Sequence, residues 1–152
     1  MPKNPNAMVA ILWAGFACGV LDITAALLVY GLFGAKPVPL LQGIASGLLG
    51  PKAFSGGFAT ALLGLLCHFV IAFGAAAVYF AATQTMRFLI ENAVVSGVLY
   101  GIAVYFFMNR IVVPLSAAAK RPFSLKFMIV GVIIHIFCVG LPISLSIRRF
   151  SK

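Results

Sequence analysis

Four long apolar stretches are the feature that most restricts what this chain can fold into. They cover approximately residues 8–33, 58–82, 93–113 and 127–147. About 20 apolar residues in a helix match the hydrocarbon thickness of a bilayer, and backbone amides in lipid must be bonded within their own segment. The alternation typical of membrane β-strands is absent. The sequence therefore predicts an all-α fold, a bundle of four transmembrane helices that forms a single membrane domain over residues 1–152.

Composition agrees with lipid as the main solvent of the chain. Its 152 residues are 63% hydrophobic and 9% charged, whereas about 25% of the residues in a soluble domain are charged. The net charge of +9 would suit nucleic acid, but the basic residues stand singly or in pairs at the ends of the apolar stretches and form no patch. We therefore expect contact with a lipid bilayer and none with nucleic acid. With Asp22 and Glu91 as the only acids, we expect no enzymatic activity.

The connections between the stretches differ in character. Residues 83–92 are few and polar, which predicts an antiparallel hairpin of the second and third helices. Residues 34–57 are rich in proline and glycine, yet Leu41, Ile44 and Leu48 follow helical spacing. An amphipathic connection over residues 37–50 is predicted, either as a short interfacial or re-entrant helix or as a compact loop. A proline within the fourth stretch, Pro142, should kink that helix or end it early.

The lysines and arginines leave the orientation in the membrane open. An even number of spans places both termini on one side, with five basic residues there and six on the other. The first set is Lys3, Arg87, Arg148, Arg149 and Lys152, and the second is Lys36, Lys52, Arg110, Lys120, Arg121 and Lys126. The positive-inside rule requires an asymmetry that these numbers do not provide.

Three ionisable residues, thiols and phenols aside, lie inside the apolar stretches: Asp22, His68 and His135. An acid at the centre of a bilayer costs about 3 kcal/mol on insertion scales, so such residues normally face the interior of a bundle. Small residues at helical spacing accompany all three, which also places them on helix-packing faces. Their offsets from the centres of their stretches predict one common depth. Asp22 could then accept a hydrogen bond from one imidazole.

Three interpretations of this polar group remain open. A buried Asp–His hydrogen bond could lock the register of a structural or assembly subunit. The group could instead titrate protons or face a substrate, as in a proton-linked small-solute carrier or channel. Two histidines could also ligate haem, or a soft metal together with Cys67 or Cys138, in a redox protein. Tyr100 could hydrogen-bond into any of these sites, although packing is the simpler role.

A proton-linked small-solute carrier or channel is the leading functional expectation. We expect no cofactor, and the sequence does not determine whether or which metal binds. Four helices leave little room for a complete transport path through one protomer, so we also expect a homo-oligomer, most simply a dimer.

Four runs of the chain carry a resemblance to a known group of proteins. They are residues 21–25 (LDITA), 41–50 (LQGIASGLLG), 67–72 (CHFVIA), and Met108-Asn109 through Pro114-Leu115-Ser116. The chain resembles, over nearly its whole length, a family of small, functionally uncharacterised bacterial multi-pass membrane proteins. The resemblance implies four spans in the bacterial inner membrane, and it brings no established activity or site.

Overall fold

The computed structural model describes residues 7–120 and 122–150. In them six helical elements and no strand are found: α1 (Ala7–Leu32), α2 (Pro37–Leu49), α3 (Gly57–Thr83), α4 (Phe88–Glu91), α5 (Ala93–Leu115) and α6 (Leu125–Phe150). A 3-10 helix (Gly50–Ser55) joins α2 to α3. The helices α1, α3, α5 and α6 are long and apolar enough to cross a membrane. The predicted all-α, four-span fold and the short helix after the first span are thus confirmed.

The start of α1, the end of α6 and the connection between α3 and α5 lie on one side of this four-span arrangement, which we call the terminal side. The α1–α3 and α5–α6 connections lie on the other, the loop side. Lys3, Arg121 and Lys152, which entered the comparison of basic residues, lie outside the described residues.

A glycine ends α1 and turns the chain toward α2. Gly34 has a φ of +88°, Ala35 N donates to Tyr30 O at 3.0 Å, and Gly34 N donates to Gly31 O at 2.9 Å. These two bonds form a Schellman motif, in which a residue with a side chain would be strained at the position of Gly34. Pro37 then opens α2, where its missing N–H costs no helical hydrogen bond.

The four spanning helices form a bundle in which α1 and α6 are central. The helix α1 packs between α3 and α6, and α6 packs between α1 and α5. Although α3 and α5 are consecutive spans, they touch mainly through side chains: Tyr100 Oη donates to Ala75 O at 2.7 Å, and the Tyr100 and Tyr79 rings are 4.9 Å apart. The hairpin predicted for these two helices is therefore not a close-packed pair.

Glycines explain why α5 packs on α6 instead. A Cβ added at Gly97 would lie 3.0 Å from Gly140 O, and one added at Gly101 would lie 2.8 Å from the Cα of Ile136. The two backbones are thus in direct contact, which only residues without side chains permit.

Prolines account for two widened turns in the spanning helices. π-helical segments occur at Met108–Val112, just before Pro114, and at His135–Gly140, just before Pro142. A proline lacks an N–H, and its ring displaces the carbonyl four residues earlier, so the preceding turn opens. The fourth span does not end at Pro142, since it continues as a helix to Phe150.

One half of the bundle is tightly packed, and we call it the packed half. It extends from the level of Cys18 to the terminal side. Its buried core consists of Ala14, Cys18, Ala72, Ala76, Tyr79, Val139, Ile143 and Ile147.

The other half, from the level of Asp22 to the loop side, is the open half. Among the described residues there, none of α1 after Ile23 and none of α5 after Gly101 is buried. The first turns of α6, Leu125–Ile134, contact α1 and α5 much less than the rest of the helix does. The helices therefore separate toward the loop side.

The short helix α2 lies over the open half. It packs against the first turns of α3, where Leu41 O covers Gly64. Gln42 Nε2 donates to Gly57 O at 2.9 Å and to Thr60 Oγ1 at 3.2 Å. At its other end, Ala117 N donates to Gly47 O at 3.0 Å. Because Ala117 follows α5, α2 connects the loop-side ends of α3 and α5, two helices that elsewhere touch mainly through side chains.

Candidate functional site

Asp22 lies at the boundary between the packed and the open half. It stands two to three residues past the midpoint of α1, in the last turn that contributes a buried residue. At 1.5 Å of rise per residue, this is about 4 Å from the midpoint toward the loop side. The loss of helix packing thus begins at the acid that interrupts the first apolar stretch.

The Asp22 carboxylate has no hydrogen bond and no ion pair within the described part of the chain, and it is half-buried. The thiols of Cys18, one turn earlier on α1, and of Cys138 on α6 interact with it electrostatically. Neither carries a compensating positive charge. A carboxylate at this depth is normally paired or neutralised, so Asp22 is available to a proton or to a ligand.

His68 is tied to the backbone of α1. Its Nε2 donates to Gly19 O at 2.9 Å, and its ring meets that of Phe69 edge to face at 5.6 Å. Because a carbonyl can only accept, Nε2 must carry the proton, which leaves Nδ1 of the neutral ring as an acceptor. Gly19 has no side chain to cover its carbonyl, and this opens the oxygen to a neighbouring helix.

His135 begins the π-helical segment of α6. Its Nδ1 donates to Gly131 O, four residues earlier, at 2.9 Å, and its ring meets that of Tyr105 edge to face at 5.3 Å. The bond fixes the proton on Nδ1, so Nε2 of the neutral ring is an acceptor. His135 lies one turn from Cys138, the residue through which α6 approaches Asp22.

The structure does not join the three predicted residues by hydrogen bonds. Both imidazoles bond to backbone carbonyls instead of Asp22. They lie near one depth, since His68 bonds one turn from Asp22 along α1, and His135 lies one turn from Cys138. The predicted Asp–His bond is wrong for this structure, because α-helical carbonyls lie closer to each ring than the carboxylate does.

The accessory residues of the sequence prediction have different surroundings. Cys138 approaches Asp22, Cys67 is half-buried on α3, and Tyr100 bridges α5 to α3. Tyr100 therefore has the packing role that its size suggested, together with a backbone hydrogen bond. Across residues 7–120 and 122–150, no three His, Cys, Asp or Glu side chains come close enough together to hold a metal ion.

The sequence analysis missed a second polar cluster, which lies in the packed half. The hydroxyls of Ser96 on α5 and Ser144 on α6 face that of Tyr79 on α3, and all three residues are buried. A serine in an apolar helix usually bonds to its own helix backbone and so gives little sequence signal. The two serines lie near glycines on helices that contact each other. They can be recognised as a cluster only once the pairing of α5 with α6 is known.

Comparison with known proteins gave no match: no protein-family model, no curated protein sequence and no solved structure is significantly similar to this chain. The resemblance to a bacterial membrane-protein family stays a prediction.

Proposed function

We propose that this protein is a proton-linked carrier for a small solute, with Asp22 as the group that binds the proton. The observation that carries the proposal is the position of Asp22, an unpaired acid at the floor of the open half of a membrane bundle. Its carboxyl group would alternate between a protonated form that tolerates lipid and an ionised form that binds a solute or attracts the next proton. Solute would enter from the loop side, where the helices are apart.

The two histidines would assist this site in different ways. His135 Nε2 is an acceptor one turn from Cys138 and would accept a hydrogen bond from solute or water. His68 would mainly hold α3 against α1 through its bond to Gly19 O, so that the floor of the open half keeps its shape. This bond also supports the rival proposal of a structural or assembly subunit, in which the polar residues fix the register of the helices and take no part in transport.

The cellular setting belongs to the proposal as well. We propose the bacterial inner membrane as the location, on the strength of the sequence resemblance, and a homodimer as the working form, because one bundle of four helices is narrow. We propose that the protein is no enzyme and uses no cofactor. The alternative of haem or a soft metal has two free imidazole nitrogens in its favour, and an absorption spectrum and metal analysis of the purified protein would test it.

Proton flux into liposomes tests the carrier. The full chain is reconstituted with a trapped pH dye, an acid pulse is given outside, and internal acidification is followed with and without a panel of small anionic, cationic and neutral solutes. We expect Asp22→Asn to slow protein-dependent acidification about a hundredfold, as loss of a proton-transferring group does. Glu91→Gln, the other acid of the chain, is the matched control and should change it little.

Equal rates in the wild type and Asp22→Asn, under every solute condition, would overturn the carrier and favour the structural subunit. In that case Asp22→Asn should alter only stability. Infrared spectra of the two proteins provide a separate check, since a carboxyl band that changes with pH in the wild type should be missing from Asp22→Asn.

A further inference from the structure

The packed half contains one buried hydroxyl group that the fold leaves without a hydrogen bond. Ser96 is 3% exposed, and its Oγ is the buried side-chain oxygen in the described residues that lacks a hydrogen-bond partner. Its neighbours bond elsewhere: Tyr79 Oη donates to Leu89 O at 3.0 Å, and Ser144 Oγ donates to Leu141 O at 3.1 Å. A buried unpaired hydroxyl costs about 1–3 kcal/mol, so its retention points to a water molecule or to a function.

Polar groups continue from Ser96 in both directions along the bundle. Toward the terminal side, Tyr79 reaches the carbonyl of Leu89 in α4. Toward the middle of the membrane, the Tyr79 ring contacts the ring of Tyr100.

Tyr100 completes the connection to the proposed site. It packs against the core cluster that contains Cys18, and Cys18 precedes Asp22 by one turn of α1. The remaining core of the packed half, including Ala14, Ala72 and Val139, is apolar or small. Polar side chains thus follow one another from α4 to the level of Asp22, through a core that is otherwise apolar or small.

We propose that this route, through Tyr79, Ser96, Ser144 and Tyr100, conducts protons between the terminal side and Asp22. The inference rests on the proposed function, and it assigns the two halves separate tasks: the open half admits the solute, and the packed half passes protons alone. Hydroxyl groups both donate and accept, so each can take a proton on an oxygen lone pair and release its own. One proton leaves the terminal side and one is added to the Asp22 carboxylate, while at each hydroxyl between them one O–H bond forms and one breaks, with no net change.

Ser96 is suited to the central position because it has no competing bond. Its hydroxyl is free to rotate between Tyr79 and Ser144, whereas a hydroxyl held by a backbone carbonyl must first break that bond. A small solute cannot follow the same route, because α5 and α6 are in backbone contact at Gly97 and Gly140. A water molecule beside Ser96 would have several polar partners and would shorten the remaining gaps.

The test is the liposome assay with Ser96→Ala. We expect internal acidification to slow about tenfold or more, since proton relays of this kind contribute at least that factor. The matched control is Ser46→Ala in α2, which also removes a buried serine hydroxyl but lies outside the route; Ser46 Oγ bonds only to Gly43 O. Unfolding of each variant in mixed micelles is measured in parallel, and Ser96→Ala should be as stable as the wild type or more so, because it removes an unpaired group.

The outcomes separate this inference from the proposed function. Slow acidification in Ser96→Ala with full stability and an unaffected Ser46→Ala supports the route. If Asp22→Asn abolishes acidification and Ser96→Ala leaves it unchanged, the route is wrong and the carrier stands. If Ser96→Ala loses stability along with flux, Ser96 is structural and the route is wrong as well. If Asp22→Asn has no effect, the carrier itself falls.

Discussion

The two halves of this bundle have similar hydrophobic character, yet α1, α5 and α6 pack closely in only one of them. In the packed half, the contacting faces are built from small residues such as Gly15, Ala76, Gly97 and Gly140. Lipid tails are as apolar as leucine, so apolar surface alone does not bring helices together in a membrane, and close packing of small residues does. The difference between the halves is therefore one of side-chain size.

In the open half, the contacts of α6 with α1 and α5 involve large rings, even at Gly131, which the Tyr105 ring covers. The helices of this half meet near the loop side through large rings: Tyr30 and Phe33 of α1 lie 6.0 and 5.6 Å from Phe127 of α6, and Lys126 Nζ lies 4.2 Å above the Phe33 ring. Such contacts hold the helix ends at a distance from each other. Asp22 follows Cys18 and Gly19, the last buried small residues of α1, so the acid and the change in packing occupy the same level of the bundle.

Among single substitutions, Gly140→Ala should reduce stability the most. A Cβ at this position would lie 2.8 Å from the Cα of Gly101, so α5 and α6 must move apart. We expect a loss of about 3 kcal/mol in the free energy of unfolding, measured by titration with a denaturing detergent. Purified protein that retains wild-type stability would show that α5 and α6 do not depend on backbone contact.

The matched control is Gly74→Ala in α3, because a Cβ there meets no atom within 4 Å. Alanine favours a helix over glycine by about 1 kcal/mol, so this variant should be unchanged or slightly more stable. A similar loss in both variants would mean that glycine acts through helix flexibility and not through close packing.

A smaller effect, confined to the open half, is expected from Gln42→Ala. The Gln42 side chain is 4% exposed and makes two hydrogen bonds to the start of α3. Their loss should cost about 2 kcal/mol and loosen α2. Hydrogen exchange should increase in α2 and at the first turn of α3, while the amides of the packed half keep their protection. Faster exchange throughout the protein would contradict the independence of the two halves.

Much of the fold is encoded in short-range sequence features. Hydropathy marks the four spans to within a few residues, and the spacing of Gly97 and Gly101 indicates a packing face. The partner of that face does not follow, because Gly140 and Gly131 are equally small. The hydrogen-bond partners of the histidines are harder still to predict from the sequence. His68 bonds to the backbone carbonyl of Gly19, and because every residue has a backbone carbonyl, the sequence does not mark this one. Only the packing of α3 against α1 selects this one.

Removal of a single tyrosine hydroxyl should change the free energy of unfolding least, and by different amounts in the two halves. Tyr79 Oη in the packed half donates to Leu89 O, whereas Tyr105 in the open half contacts His135 through its ring and has no hydroxyl hydrogen bond among the described residues. Tyr79→Phe should therefore cost about 1 kcal/mol.

Tyr105→Phe, which keeps the ring, should stay within about 0.5 kcal/mol of the wild type, as substitutions away from specific interactions do. The same detergent titration measures both. Because the two changes are chemically identical, their difference reports the surroundings of each hydroxyl. Equal losses would mean that Tyr105 has a partner of its own in the open half, and the most direct one to seek would be solute or water above Asp22.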